Sequence, residues 1–210
     1  MILAYHVVIS AYGFWLPNDP RGSWSDFVRS WEILKFGNAT KVNSRRSHAR
    51  DEHDWQLRLR AKEALKFPPV VFNGRQALAV AHGFIKAIQE SGYVIHACSI
   101  MPEHVHLVVD RNDRDIELIA GHLKGRATQQ LMQEGLWFAD RRPVWGRKCW
   151  KVFLYEPSDV FRAIAYVEQN PIREGKRPQK WSFVTPRTTT TNVEQAQPLN
   201  TATNVEQAQP

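Results

Sequence analysis

The 210-residue chain has only two cysteines, Cys98 and Cys149. Two thiols so far apart exclude a disulfide framework and a cysteine-built metal knuckle, and they predict buried thiols in a reducing cytoplasm. No window holds eighteen uninterrupted apolar residues, and no basic segment precedes a long apolar stretch at the start of the sequence. These absences predict no membrane partner, no secretory leader and a cytoplasmic location. Acidic residues are also the minority, 21 against 28 lysines and arginines, for a net charge of +7. Such a balance favours a polyanionic partner, with nucleic acid first.

The positive charge is uneven. Between Lys124 and Lys151 there are seven basic residues and two acidic ones. Lys124, Arg126, Arg147 and Lys148 in this stretch, and Arg173, Lys176, Arg177 and Lys180 beyond it, are candidates for salt-dependent contacts to a phosphate backbone. Trp145, Trp150 and Trp181 lie among them and offer faces on which unpaired bases could stack, although a core role suits each tryptophan too.

Strand and helix periodicity organises most of the chain. Tyr5 to Tyr12 is rich in β-branched and aromatic residues and predicts a first strand. From Gly74 to Ser91 apolar residues recur at helical spacing, with Gly92 placed to cap. Tyr93 to Ile100 and His104 to Asp110 predict two antiparallel strands joined by Met101-Pro102-Glu103. Asp115 to Gln133 predicts a second long helix, and Cys149 to Tyr155 another strand. The order matches an α+β ferredoxin-like sandwich, an antiparallel sheet with helices on one face. A further helix is expected from Pro157 to about Gln169, ending at Asn170-Pro171.

Residues 1–186 therefore form the expected domain. An insertion of weaker period runs from about 23 to 73, in which 51–67 could be a charged helix. Residues 187–210 carry Asn192-Val193-Glu194-Gln195-Ala196-Gln197-Pro198, repeated unchanged at Asn204 to Pro210. That tail has too little to bury to offset the entropy of ordering it, and is expected to be disordered.

The most informative run is Met101-Pro102-Glu103-His104-Val105-His106-Leu107-Val108-Val109. Alternation puts His104 and His106 on one face of their strand, a two-imidazole clip for a metal ion. On the last helix, Val160, Ile164 and Val167 form an apolar stripe. Arg162, Tyr166 and Asn170, spaced by four, are expected on a different and more polar face. Asn170 is the candidate third ligand, with Gln169 as its competitor; a carboxamide oxygen suits a hard cation. Tyr166, one turn earlier, is the candidate nucleophile, and Arg162 a candidate for holding phosphate.

The histidine run, followed sixty residues later by Tyr166-Val167-Glu168-Gln169-Asn170-Pro171-Ile172-Arg173-Glu174-Gly175, resembles the single-tyrosine HUH transposases, in particular the REP-associated tyrosine transposases. The likeness runs from about Tyr5 to Val184. Position 103 is Glu where that family more often has Asn. The resemblance implies a single-stranded DNA endonuclease and strand transferase that acts on hairpin-forming repeats. It implies Mg²⁺ or Mn²⁺ on His104, His106 and Asn170, and a covalent 5′-phosphotyrosine on Tyr166. Relatives work as monomers or as homodimers, so both states stay open. Two other classes compete: a water-activating metal hydrolase, and a non-catalytic nucleic-acid binder with the same sheet. The other histidines, His6 included, have no recognisable spacing.

Overall fold

The computed structural model describes residues 1–17, 19, 28, 31–38, 52–138 and 142–188. Its elements in chain order are β1 (Ala4–Ala11), α1 (Trp31–Leu34), α2 (Trp55–Glu63), α3 (Gly74–Ser91), β2 (Ile95–Ile100), β3 (His104–Asp110), α4 (Ile116–Gln133), β4 (Trp145–Leu154) and α5 (Pro157–Arg173). Local chemistry sets the long helices. Asn73 caps α3 by a reciprocal capping box with Gln76, and Gly92 closes it in the left-handed region at φ 64°. The side chain of Asp115 accepts from the Glu117 backbone N–H at the start of α4, and Pro157 opens α5, where a missing N–H costs nothing.

The four strands form one sheet in the order β2-β3-β1-β4. Every neighbouring pair is antiparallel. With α3 between β1 and β2 and α4 between β3 and β4, this is the ferredoxin-like arrangement that the order of elements predicts. Alternation divides each strand between two layers. Val7, Ile9, Val105 and Leu107 join Val80, Phe84, Ile119 and Leu123 of α3 and α4 in the main core. Those helices meet closely: a Cβ on Gly83 would stand 2.4 Å from the Ala127 Cα. Cys98 and Cys149 are buried and free, both within this core.

The opposite face takes α5. Ala4, Ala97, Val108 and Leu154 of the sheet pack against Val160, Ala163 and Val167. Because α5 follows β4 after two residues, it starts at the Ala4–Leu154 end of the sheet. Beyond α5 the chain returns along the β2 edge. There Ile95 bridges Val184, and Gln179 bonds both the N–H and the C=O of Ile100.

Several boundaries differ from the expected ones. β4 begins at Trp145, four residues before Cys149, because Trp145 resumes pairing with Ala11 after a register shift. β2 begins at Ile95 and α2 covers only Trp55–Glu63. Helix α5 runs on to Arg173 through Asn170-Pro171. Proline's φ is itself helical, so its cost in the last turn is one lost N–H bond, and the chain turns off only after Gly175 at φ 70°. Within the insertion, α1 and α2 are described; most of 18–30, all of 39–51, and the repeats of the tail lie outside the described residues. No helix among those described is long and apolar enough to cross a membrane.

Candidate active site

β3 places His104 and His106 on the α5 face, opposite Ser10 and Val8 of β1. Both rings are buried, and their centroids lie 4.8 Å apart at an interplanar angle of 84°. Phe14, in the loop after β1, stacks on His104 at 4.7 Å and 29°. Lys62 of α2 is bonded to Glu103 at 2.8 Å, which ties the insertion to the turn that leads into His104.

Tyr166 meets this face from α5. Its ring centroid is 5.5 Å from that of His106 and 5.6 Å from that of His6. The Arg173 guanidinium lies 5.5 Å from the same ring. Burial pushes the Tyr166 hydroxyl above its ordinary pKa, and Arg173 opposes that shift.

Asn170 does not share the outward face expected for it. It lies on the buried stripe with Ala163 and Val167, 7% exposed, and its Nδ2 has no hydrogen-bond partner among the described residues. Arg162 points the other way, with a 74% exposed side chain paired to Asp159. At about 100° per residue a spacing of four drifts by about 40° each time, so one row of three residues goes from solvent to core. Tyr166, midway along that row, is half-buried at its margin. Gln169 is exposed and accepts from Arg173 at 3.1 Å.

His6, with no expected role, lies inside the cluster. Its Nε2 is 3.1 Å from His106 Nδ1, and Trp150 meets its ring edge-on at 5.5 Å. Burial lowers the pKa of His6 from 6.5 to about 4. Burial, reinforced by the neighbouring histidines, lowers that of His106 well below the usual value. Both rings are therefore neutral at pH 7, the state in which imidazole is a ligand. The signal was present in period two: His6 and Ser10 are the polar members of a strand whose other face is Tyr5, Val7, Ile9 and Ala11.

The donors fit a divalent cation. His104 and His106 offer nitrogen on one rigid face, and Asn170 adds a buried carboxamide whose oxygen is the ligating type of atom, while its unpartnered Nδ2 is an N–H donor that takes no cation. Among the described residues no group of three or more His, Cys, Asp or Glu forms a metal cage.

The cationic candidates divide by what they touch. Lys124 is half-buried and donates to the carbonyls of Gly146, Arg147 and Lys148 at 2.9, 3.2 and 3.1 Å, which holds it against the start of β4 and away from a free phosphate contact. Arg126 bonds Glu90 at 2.7 Å. Arg147, Lys148 and Arg173 are exposed. Trp145 is a core residue that donates to Lys124 O and Thr128 Oγ1, and Trp181 stacks on Phe183.

No curated protein matches the chain. A solved structure described as the REP associates tyrosine transposase bound to a REP hairpin is similar to 82% of this chain and 68% of that one, at 14% identity and a TM-score of 0.45. The family described as "Transposase IS200 like" matches residues 66–169, a span that holds both strand histidines and Tyr166 but neither His6 nor Asn170. That segment, 104 of the 210 residues, is what makes the chain similar to the IS200-like transposases.

Proposed function

We propose that this protein is a metal-dependent single-stranded DNA endonuclease and strand transferase that acts through Tyr166 on hairpin-forming repeat DNA. The observation that carries the reading is the Tyr166 ring 5.5 Å from that of His106, within one chain. Similarity to a transposase family supplies the substrate class, and the net charge of +7 agrees with it.

His104, His106 and Asn170 would hold Mg²⁺ or Mn²⁺, whose charge polarises the scissile phosphate. The Tyr166 oxygen attacks phosphorus; a P–OTyr bond forms, the P–O3′ bond breaks, and the 3′ oxygen leaves as a hydroxyl after taking up a proton. The 5′ end stays on the tyrosine, and attack by another 3′-hydroxyl reverses the step and rejoins strands. Since burial favours the protonated phenol, Arg173 is the side chain that favours its anion. Arg147, Lys148 and Arg173 hold backbone phosphates, and Arg162 has no part in the reacting centre. The contact of Tyr166 with His106 inside one chain supports an active site formed within a monomer.

Incubation with a labelled hairpin-bearing single strand and Mn²⁺, followed by a denaturing gel, should show a DNA–protein adduct. Tyr166→Phe should remove it and His104→Ala should stop cleavage with DNA binding retained. An adduct that persists in Tyr166→Phe, or cleavage that leaves none, would overturn the reading.

A further inference from the structure

We infer that His6 is a positioning residue for this site: its Nε2 accepts the Nδ1–H of His106 and fixes the tautomer of His106 whose Nε2 carries the lone pair. The inference rests on the proposed role of His106 as a cation ligand. β1, which carries His6, lies outside the segment that matches the family.

The contact is built into the sheet. Val8 pairs with His106, and His6 with Val108, which makes the two histidines diagonal neighbours on one face, within reach of long side chains. The 3.1 Å separation joins one nitrogen of each ring, and the rings lie nearly parallel, 22° apart. Trp150 and Tyr166 pack edge-on around His6, which is only 9% exposed. One proton lies between the two nitrogens. If His6 supplied it, His106 would carry its own proton on Nε2 and have no lone pair left for a cation. If His106 supplies it, Nε2 is free, and the ring is held by its other nitrogen as ligating histidines commonly are. The same ring of His6 touches Tyr166, so one side chain sets the ligand and abuts the nucleophile.

Nitrogen-15 spectra of histidine-labelled, metal-free protein read the tautomer directly. His106 should appear in the Nδ1–H form in the wild type and in His6→Gln, whose amide oxygen can accept the same proton, and should lose that form in His6→Leu. Calorimetric titration with Mn²⁺ should show binding weakened on the order of ten- to hundredfold in His6→Leu and restored in His6→Gln. An Nε2–H form in the wild type, or a His6→Leu protein that keeps both the Nδ1–H form and the wild-type affinity, overturns the inference. The expected tautomers without Mn²⁺ uptake by the wild type would instead remove the metal reading and leave the orienting bond established. Should His6→Leu fail to fold, the wild-type and His6→Gln spectra still decide.

Discussion

The guanidinium of Arg173 stands 5.5 Å from the centre of the Tyr166 ring, two helical turns further along α5. Burial disfavours the Tyr166 phenolate, and the cation beside it works in the other direction. Arg173→Leu is expected to raise the Tyr166 pKa further and to slow adduct formation about two- to fivefold, the worth of a contact of roughly 0.5–1 kcal/mol. The pH–rate profile checks it, and its rising limb should move to higher pH.

Acid should loosen the fold on the side of the histidines. The folded-state pKa of His6 is about 4 against 6.5 in its absence, so between those values the unfolded chain binds the proton and the native one does not. Stability is then fully present above about pH 6.5 and is lost as pH falls to about 4, with a share from His6 of up to about 3 kcal/mol. The shift at His106 has the same sign. Urea denaturation at a series of pH values should show this slope, reduced but not abolished in His6→Gln.

Asn170 sets function against stability. Its buried Nδ2 has no partner among the described residues, a deficit of about 1–3 kcal/mol for an amide group. Leucine has the same branching and no polar atoms. Asn170→Leu should therefore melt at or above the wild-type temperature while cleavage and Mn²⁺ binding are lost; a large fall in melting temperature would mean that the amide is structural.

The basic residues should separate by experiment into two groups. Removing the Lys124 ammonium strips three carbonyls at the start of β4 of their donor. Lys124→Met is expected to cost about 2 kcal/mol of stability and to leave the salt dependence of DNA binding unchanged. Arg147→Ala and Lys148→Ala, both at exposed positions, should do the reverse, each lowering the slope of log K against log salt by about 1.

Features that depend on local period were readable from the residues alone. α3 begins at Gly74 and ends at Ser91 as its caps require, and β3 begins at His104, so the shared face of the two histidines followed from alternation. What depended on pairing between distant segments was not readable. The bond from His6 to His106 requires the β1–β3 register, which no local pattern states. The early start of β4 requires the shift at Ile9/Ala11. Asn170 was misplaced for a subtler reason: a four-residue row drifts around the helix, and only the packed sheet shows which member crosses into the interior.

The sheet puts its main hydrophobic layer on one side and its histidines on the other, where α5 adds a smaller apolar cluster beside them. Val105 and Leu107 face α3 and α4, while the histidines that alternate with them face α5. Substitutions at the reactive positions therefore leave the main hydrophobic layer untouched. On the proposed function, such variants are expected to stay folded and to bind DNA without cutting it, fit to trap it in a crystal or on a column.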